Sequence, residues 1–363
     1  MKSQSLKLVL FCIFILSIFL LWRSQSGRIV GVSENKDHSE IGLIDNDKNS
    51  FKSLSLEWVK ITPTPPWEPR DAQAFFTFKD KLWLLGGLNG NEVKVGDKVE
   101  YWRAPHFRDI WVSADSKSWE RVIERAPWGM RRSMTVVEFK GVLWLLGGWS
   151  KNTGYQSDIW NSEDGLTWRK VVFSAPWVPR EGHSLVVFKN RLWLLGGVNF
   201  DERKTLNDVW VSDNGFMWER VTDQAPWSPR YDHAVSVFNG KIWLTGGLDF
   251  GEKINNEVWV SENGSDWAQA TSSPPWPARH GHVSLVFENL LWILGGWNNE
   301  LSGLSDVWYS DDGLDWYKAG DDAPWSGRED LGAEVFKNRI WVTGGMDKDW
   351  TWHSDLWEAK IIQ

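Results

Sequence analysis

The sequence has one cysteine in 363 residues, Cys12. It stands inside an apolar N-terminal run, so the rest of the chain forms no disulfide and no Cys-based metal site. No basic cluster occurs and the formal net charge is −8, which leaves nucleic-acid binding without electrostatic support. No cofactor and no metal is expected. What is abundant is tryptophan, 30 residues. Indole rings bury large apolar areas and each N–H wants a partner. So many are either scattered binding platforms or a repeated packing device, and their spacing decides for the second.

Residues 8–22, "LVLFCIFILSIFLLW", carry no charge, with Lys2 and Lys7 before them and Arg23 and Arg28 after. A basic start followed by an apolar run fits a targeting segment, although a spanning helix wants about 20 residues. No clear Ala-x-Ala cleavage site follows, and Phe11 makes "LFC" a poor lipid-attachment site. Residues 1–23 are therefore expected to be an uncleaved signal-anchor, with a cleaved signal peptide as the alternative. Residues 24–53 are polar and read as a flexible linker. The remaining residues, 54–363, are then expected outside the cytoplasm, membrane-anchored, or secreted or periplasmic if the segment is cleaved.

Diglycines recur at Gly86/Gly87, Gly147/Gly148, Gly196/Gly197, Gly246/Gly247, Gly295/Gly296 and Gly344/Gly345, at intervals of 61, 49, 50, 49 and 49 residues. A period near 50 built from short apolar runs points to a propeller. In the third unit "HSLVVF", "RLWLLGG", "DVWVS" and "FMWERV" read as four strands, the first two joined by a tight "KN" turn and the last two by "DNG". A sheet that is apolar on both faces must pack between two neighbours. Six such sheets do this by closing a ring.

Each unit places tryptophan at four fixed positions: after a proline (Trp177), before the diglycine (Trp193), in the third strand (Trp210) and in the fourth (Trp218). The sixth unit stops at "DLWEAKIIQ" without its fourth. The missing member is Trp58, in "SLEWVKITPTPPW" near the start. Residues 55–61 are therefore predicted to be the outer strand of the last blade. The fold expected is all-β, a six-bladed propeller of four-stranded antiparallel blades closed by the N-terminal strand.

The order Gly-Gly, Trp, Pro, Arg, His over residues 55–363 resembles kelch repeats. The third strand departs from the common pattern. "DVWVSDNGFMW", "DIWNSEDGLTW", "EVWVSENGSDW" and "DVWYSDDGLDW" look like the Asp-box of sialidases, a structural turn that imports no activity. Galactose oxidase also carries kelch-type repeats, but its Cys–Tyr copper chemistry is excluded in a propeller without cysteine.

Arg70, Arg131, Arg180, Arg230, Arg279 and Arg328 follow the Pro-Trp pairs, and Asp109, Asp158, Asp208, Glu257, Asp306 and Asp355 precede the third-strand tryptophans. Six of each at fixed positions predict a repeated structural ion pair. His183, His233 and His282 recur likewise and are expected as hydrogen-bonded strand residues rather than metal ligands.

Function is sought where the symmetry breaks. The residue after each arginine varies: Asp71, Arg132, Glu181, Tyr231, His280 and Glu329. These are candidate binding residues for a polar ligand, with Glu181, Glu329 and Arg132 as candidate catalytic groups. The loops after the diglycines also differ. The first is 12 residues longer, and Trp102, Trp350 and Trp352 stand outside the repeat pattern as candidates for exposed contact. Trp149 and Trp297 are extra too, and plain packing is favoured for them. The favoured reading is a membrane-tethered binding module for a protein or glycan partner, not an enzyme. Exported kelch proteins of this size that act as sialic-acid mutarotases are the resemblance behind a sugar-enzyme alternative, and a structural assembly factor at the membrane is a third.

Overall fold

The computed structural model describes residues 54–62, 65–95, 98–99 and 103–362. The signal-anchor, the linker and Trp102 fall outside the described residues. Among those described no α-helix occurs, and no helix is long and apolar enough to cross a membrane.

Each repeat begins with a two-residue hairpin in which both central residues are left-handed. Lys189 and Asn190 have φ of 48° and 58°, and Lys79-Asp80, Lys140-Gly141, Asn239-Gly240, Glu288-Asn289 and Lys337-Asn338 repeat the geometry. Such turns match the right-handed twist of the strands they join. In the third repeat Ser184–Phe188 and Arg191–Asn199 pair through this turn, Lys204–Ser212 adds to the second strand and Glu219–Thr222 to the third. The chain builds six such four-stranded antiparallel sheets.

The innermost strands meet around an axis. Ala74–Phe78 packs on Thr135–Phe139, and so on round to Gly332–Phe336, which packs back on Ala74–Phe78. The ring therefore closes at six. In the last sheet Gly332–Phe336, Arg339–Thr343 and Leu356–Ile362 are joined by Ser55–Thr62 as the outer strand, with Ser55 opposite Ile362 and Lys60 opposite Trp357. The predicted closure is the observed one, one residue longer than expected.

Between sheets the tryptophans do most of the filling. The second-strand indole donates to the carbonyl five residues earlier, Trp83 to Phe78 at 3.0 Å and Trp193 to Phe188 at 3.0 Å. Its ring lies on the hairpin glycine of the next blade. A Cβ on Gly215 would come within 2.3 Å of Trp144, and one on Gly264 within 2.3 Å of Trp193, so the turn glycine is fixed by packing as well as by its positive φ. The Pro-Trp indoles have no oxygen acceptor among the described residues, yet they are buried. Trp67, Trp177 and Trp276 meet the outer-strand Trp119, Trp218 and Trp316 edge to face at 4.7, 4.8 and 4.2 Å. The indole π face is the polar neighbour on hand.

The long first loop has a structural role at the seam. Asn91 donates to the Trp352 carbonyl at 3.1 Å and accepts from the Trp352 amide at 2.9 Å. Trp352 is 2% exposed, packed with Leu88, Ala104 and Met346. The expectation that Trp352 makes an exposed contact is therefore wrong. The first insertion covers its ring and clasps the last blade to the first.

Candidate functional site

The twelve repeated charges form the predicted pairs. Arg180 reaches Asp208 at 2.6 Å and also donates to the Gly196 carbonyl at 2.8 Å. Arg70–Asp109 and Arg131–Asp158 close at 2.8 Å, and Arg279–Asp306 and Arg328–Asp355 at 2.7 Å. Arg230–Glu257 completes the set. In five of the six repeats the acid also accepts the third-strand indole N–H, as Trp210 to Asp208 at 2.7 Å. These buried guanidiniums bind the diglycine loop to the third strand, and only Arg131 keeps an Nε without a partner among the described residues.

The variable residue beside each arginine is placed differently. Its backbone pairs antiparallel with the residue after the diglycine: Asp71 with Leu88, Arg132 with Trp149, Glu181 with Val198, Tyr231 with Leu248, His280 with Trp297, Glu329 with Met346. This pins all six loops at one end of the axis. Asp71, Arg132, Glu181, Tyr231, His280 and Glu329 together line one cavity of about 260 Å³. Asp232, Asp330 and Phe200 also line it.

The floor of this cavity is a backbone ring. The next residue of each repeat, Ala72, Ser133, Gly182, Asp232, Gly281 and Asp330, has φ between 48° and 62°. Ala72 N donates to Asp330 O, Asp330 N to Gly281 O, Gly281 N to Asp232 O, Asp232 N to Gly182 O and Ser133 N to Ala72 O, at 2.8–3.0 Å. Five of the six blade junctions are thus joined head to tail around the axis. A second space of about 170 Å³ is lined by the same residues and by the repeat positions beyond them, including His183, His233 and His282. His183 bonds Thr135 at 2.8 Å and His282 bonds Thr245 at 2.9 Å. His233 has no side-chain hydrogen bond among the described residues, where no three His, Cys, Asp or Glu groups converge as metal ligands.

Inside the mouth Arg132 holds Glu181 through two hydrogen bonds of 3.0 and 3.1 Å. Burial opposes its charge, but Glu181 and Asp71 keep the guanidinium protonated above its ordinary value. Trp149 carries Arg132 on its ring at 5.1 Å and touches His106 at 5.3 Å, a packing role. Trp350 is half-buried, 6.4 Å from Trp297. Burial and the neighbouring carboxyls raise Asp71, Asp232 and Glu329 well above the carboxylate range. Asp330 is pushed up to about 6, with burial the main cause. His280, 3.5 Å from Glu329, is lowered to about 4 by burial and is neutral. Asp232 and Asp330 were missed from sequence. They stand one position beyond the variable residue, where the other blades have Ala72, Ser133, Gly182 and Gly281, and that contrast was available.

These carboxyls bind protons more tightly folded than unfolded, as does Glu334, raised to about 7 by burial. Their contribution to stability is complete below the unfolded carboxylate range and is lost as pH rises through about 6 at Asp330 and about 7 at Glu334. Buried histidines act oppositely. His183 and His233 are lowered to about 3, so their contribution grows with pH and is complete above the unfolded value near 6.5. Above that point only the carboxyls still change. The melting temperature is expected to fall between pH 6.5 and 8.5, and less steeply in Glu334→Gln. A flat or rising profile in calorimetry would contradict this.

Residues 133–345 match the family model described as the KLHDC2/KLHL20/DRC7 Kelch-repeats domain. No curated protein matches the chain in sequence. Among solved structures, that of YjhT superposes with a TM-score of 0.65 at 17% identity, covering 84% of this chain and 100% of that chain. At that identity the likeness is one of fold.

Proposed function

The chain belongs to the kelch-repeat family, and on that premise we propose that it is a ligand-binding propeller whose site is the channel mouth, taking a small polyhydroxylated ligand such as a sugar. One observation carries the reading: the six positions where the repeats disagree converge on a single polar cavity of about 260 Å³. A symmetric scaffold whose repeats diverge around one cavity has placed its specificity there. Phe200 and Tyr231 meet edge to face at 5.5 Å beside the carboxyls, giving an apolar face next to hydrogen-bonding groups, as a sugar ring requires. Kelch propellers commonly bind proteins, and a glycan borne on a protein would satisfy both sources of partner. The apolar run 8–22 between basic residues supports tethering of this module to a membrane, with the propeller outside the cytoplasm.

A second reading is favoured by the charge states. Glu329 is held protonated by burial and by Asp330 and Asp232, while Glu181 is the carboxylate partner of Arg132. An acid and a base in one cavity suit ring opening of a cyclic hemiacetal. The base takes the anomeric O–H proton, the acid protonates the ring oxygen as its bond to the anomeric carbon breaks, and reclosure gives the other anomer.

The test is titration of the full chain with a panel of mono- and oligosaccharides, followed by anomer-exchange NMR on any sugar that binds. Saturable binding is expected. For the second reading Glu329→Gln slows exchange by about 10²-fold while binding persists. Absence of binding across the panel, with capture of a non-glycosylated protein at the same face, overturns the sugar reading.

A further inference from the structure

Five carboxyls, those of Asp71, Glu181, Asp232, Glu329 and Asp330, line the channel mouth with a single guanidinium, Arg132. Glu181 is the acid that Arg132 grips through two hydrogen bonds. Among the described residues of the lining, the other four have no cation but that same Arg132. One of these acids keeps an unpartnered oxygen as well as being buried: Asp71 is 4% exposed, lines the cavity beside the Trp352 indole, and its Oδ1 accepts no hydrogen bond among the described residues. A buried acid oxygen left without a partner is costly, and a cationic donor from outside the chain would take the place of the proton that burial holds on this group.

Building on the reading above, we propose that the sugar bound at the channel mouth is an amino sugar whose free ammonium group lies against Asp71 and the neighbouring carboxyls. A metal ion fits less well, because among the described residues no three acidic or histidine side chains converge on one point. Spread carboxyls suit an ammonium, whose three N–H groups point in separate directions. The aromatic rim agrees. Phe200 is 42% exposed, lines the cavity and meets Tyr231 at 5.5 Å, and aromatic faces attract cations as well as sugar rings.

The test compares matched probes on the full chain: glucosamine, galactosamine and mannosamine against their parent hexoses, their N-acetyl forms and N-acetylneuraminic acid, by isothermal titration at pH 7. The best amino sugar is expected to bind at least tenfold tighter than its parent hexose, as a hydrogen-bonded charge pair of about 1.5–3 kcal/mol implies. Lowering the pH to 5 is expected to weaken that binding, although the amine is then fully charged. Of the groups facing it, which also include Arg132, Glu181, His280 and Tyr231, the raised acids Asp71, Asp232, Glu329 and Asp330 hold their protons more fully in that interval. In Asp71→Asn, whose melting temperature serves as a control for folding, the ratio of amino sugar to hexose affinity is expected to approach one. Equal affinity for hexose and amino sugar, or tighter binding of N-acetylneuraminic acid, overturns the ammonium inference and leaves the sugar reading standing. Binding of none of the probes removes the inference, and extension of that failure to the full panel removes the sugar reading with it.

Discussion

A chain lacking Ser55–Thr62 is expected to lose its cooperative thermal transition. That strand is the outer strand of the last blade, paired along its length with Leu356–Ile362. Leu56, Trp58 and Ile61 pack against the core from it, and Trp58 meets Trp325 edge to face at 5.8 Å. Without it the last blade has three strands, and Leu356–Ile362 becomes an open edge. One large aromatic buries about 150–250 Å², worth about 4–6 kcal/mol at 25 cal/mol per Å². With the flanking aliphatics this approaches the whole stability of a typical domain, about 5–15 kcal/mol. The milder Trp58→Ala is expected to cost about 3 kcal/mol. Circular dichroism melts measure both, and a synthetic peptide of residues 54–62 added to the truncated chain is expected to restore the transition. A truncated chain that melts sharply within a few degrees of the full one would show that the ring does not depend on its terminal strand.

The second large effect is at the buried ion pairs. Arg180→Ala is expected to cost about 3–5 kcal/mol, because it leaves Asp208 buried without its partner. The Arg180 side chain is 0% exposed and that of Asp208 11%, so screening is slight. The guanidinium also holds the Gly196 carbonyl at 2.8 Å, and with it the loop that carries Val198 and pins Glu181. At roughly 2–4 °C per kcal/mol for a large domain, the melting temperature is expected to fall by about 10 °C. The double variant Arg180→Met with Asp208→Leu is expected to lose less than the sum of the single changes, since it leaves no lone charge. The exposed pair Arg191–Asp213 serves as a control, and its removal is expected to leave the melt unchanged. Additive losses at Arg180 and Asp208 would contradict a coupled structural pair.

The scaffold was legible because it repeats. Six copies of one pattern expose what a single copy hides, so the blade count, the closing strand and the Arg–acid pairs followed from spacing alone. Convergence of the six variable residues follows once the ring closes, because any position repeated around a ring lies at one height on its axis. Trp352 was misread for the converse reason. Its burial depends on Asn91 and Leu88, more than 250 residues earlier in the chain, and no periodic counterpart announces that contact. The raised pKa values at the mouth were also beyond the sequence. They arise from burial and from carboxyls of the first, fourth and sixth repeats meeting across the axis, and only ring closure defines both.

The most direct measurement is the sugar titration repeated on Arg132→Ala with Glu181→Ala, a change that removes both charges of the mouth's ion pair together. The account expects the melting temperature to stay within a few degrees, and binding of the sugar selected by the panel to be lost. Undiminished binding in that variant would place the ligand elsewhere on the propeller and contradict the channel mouth as its functional site.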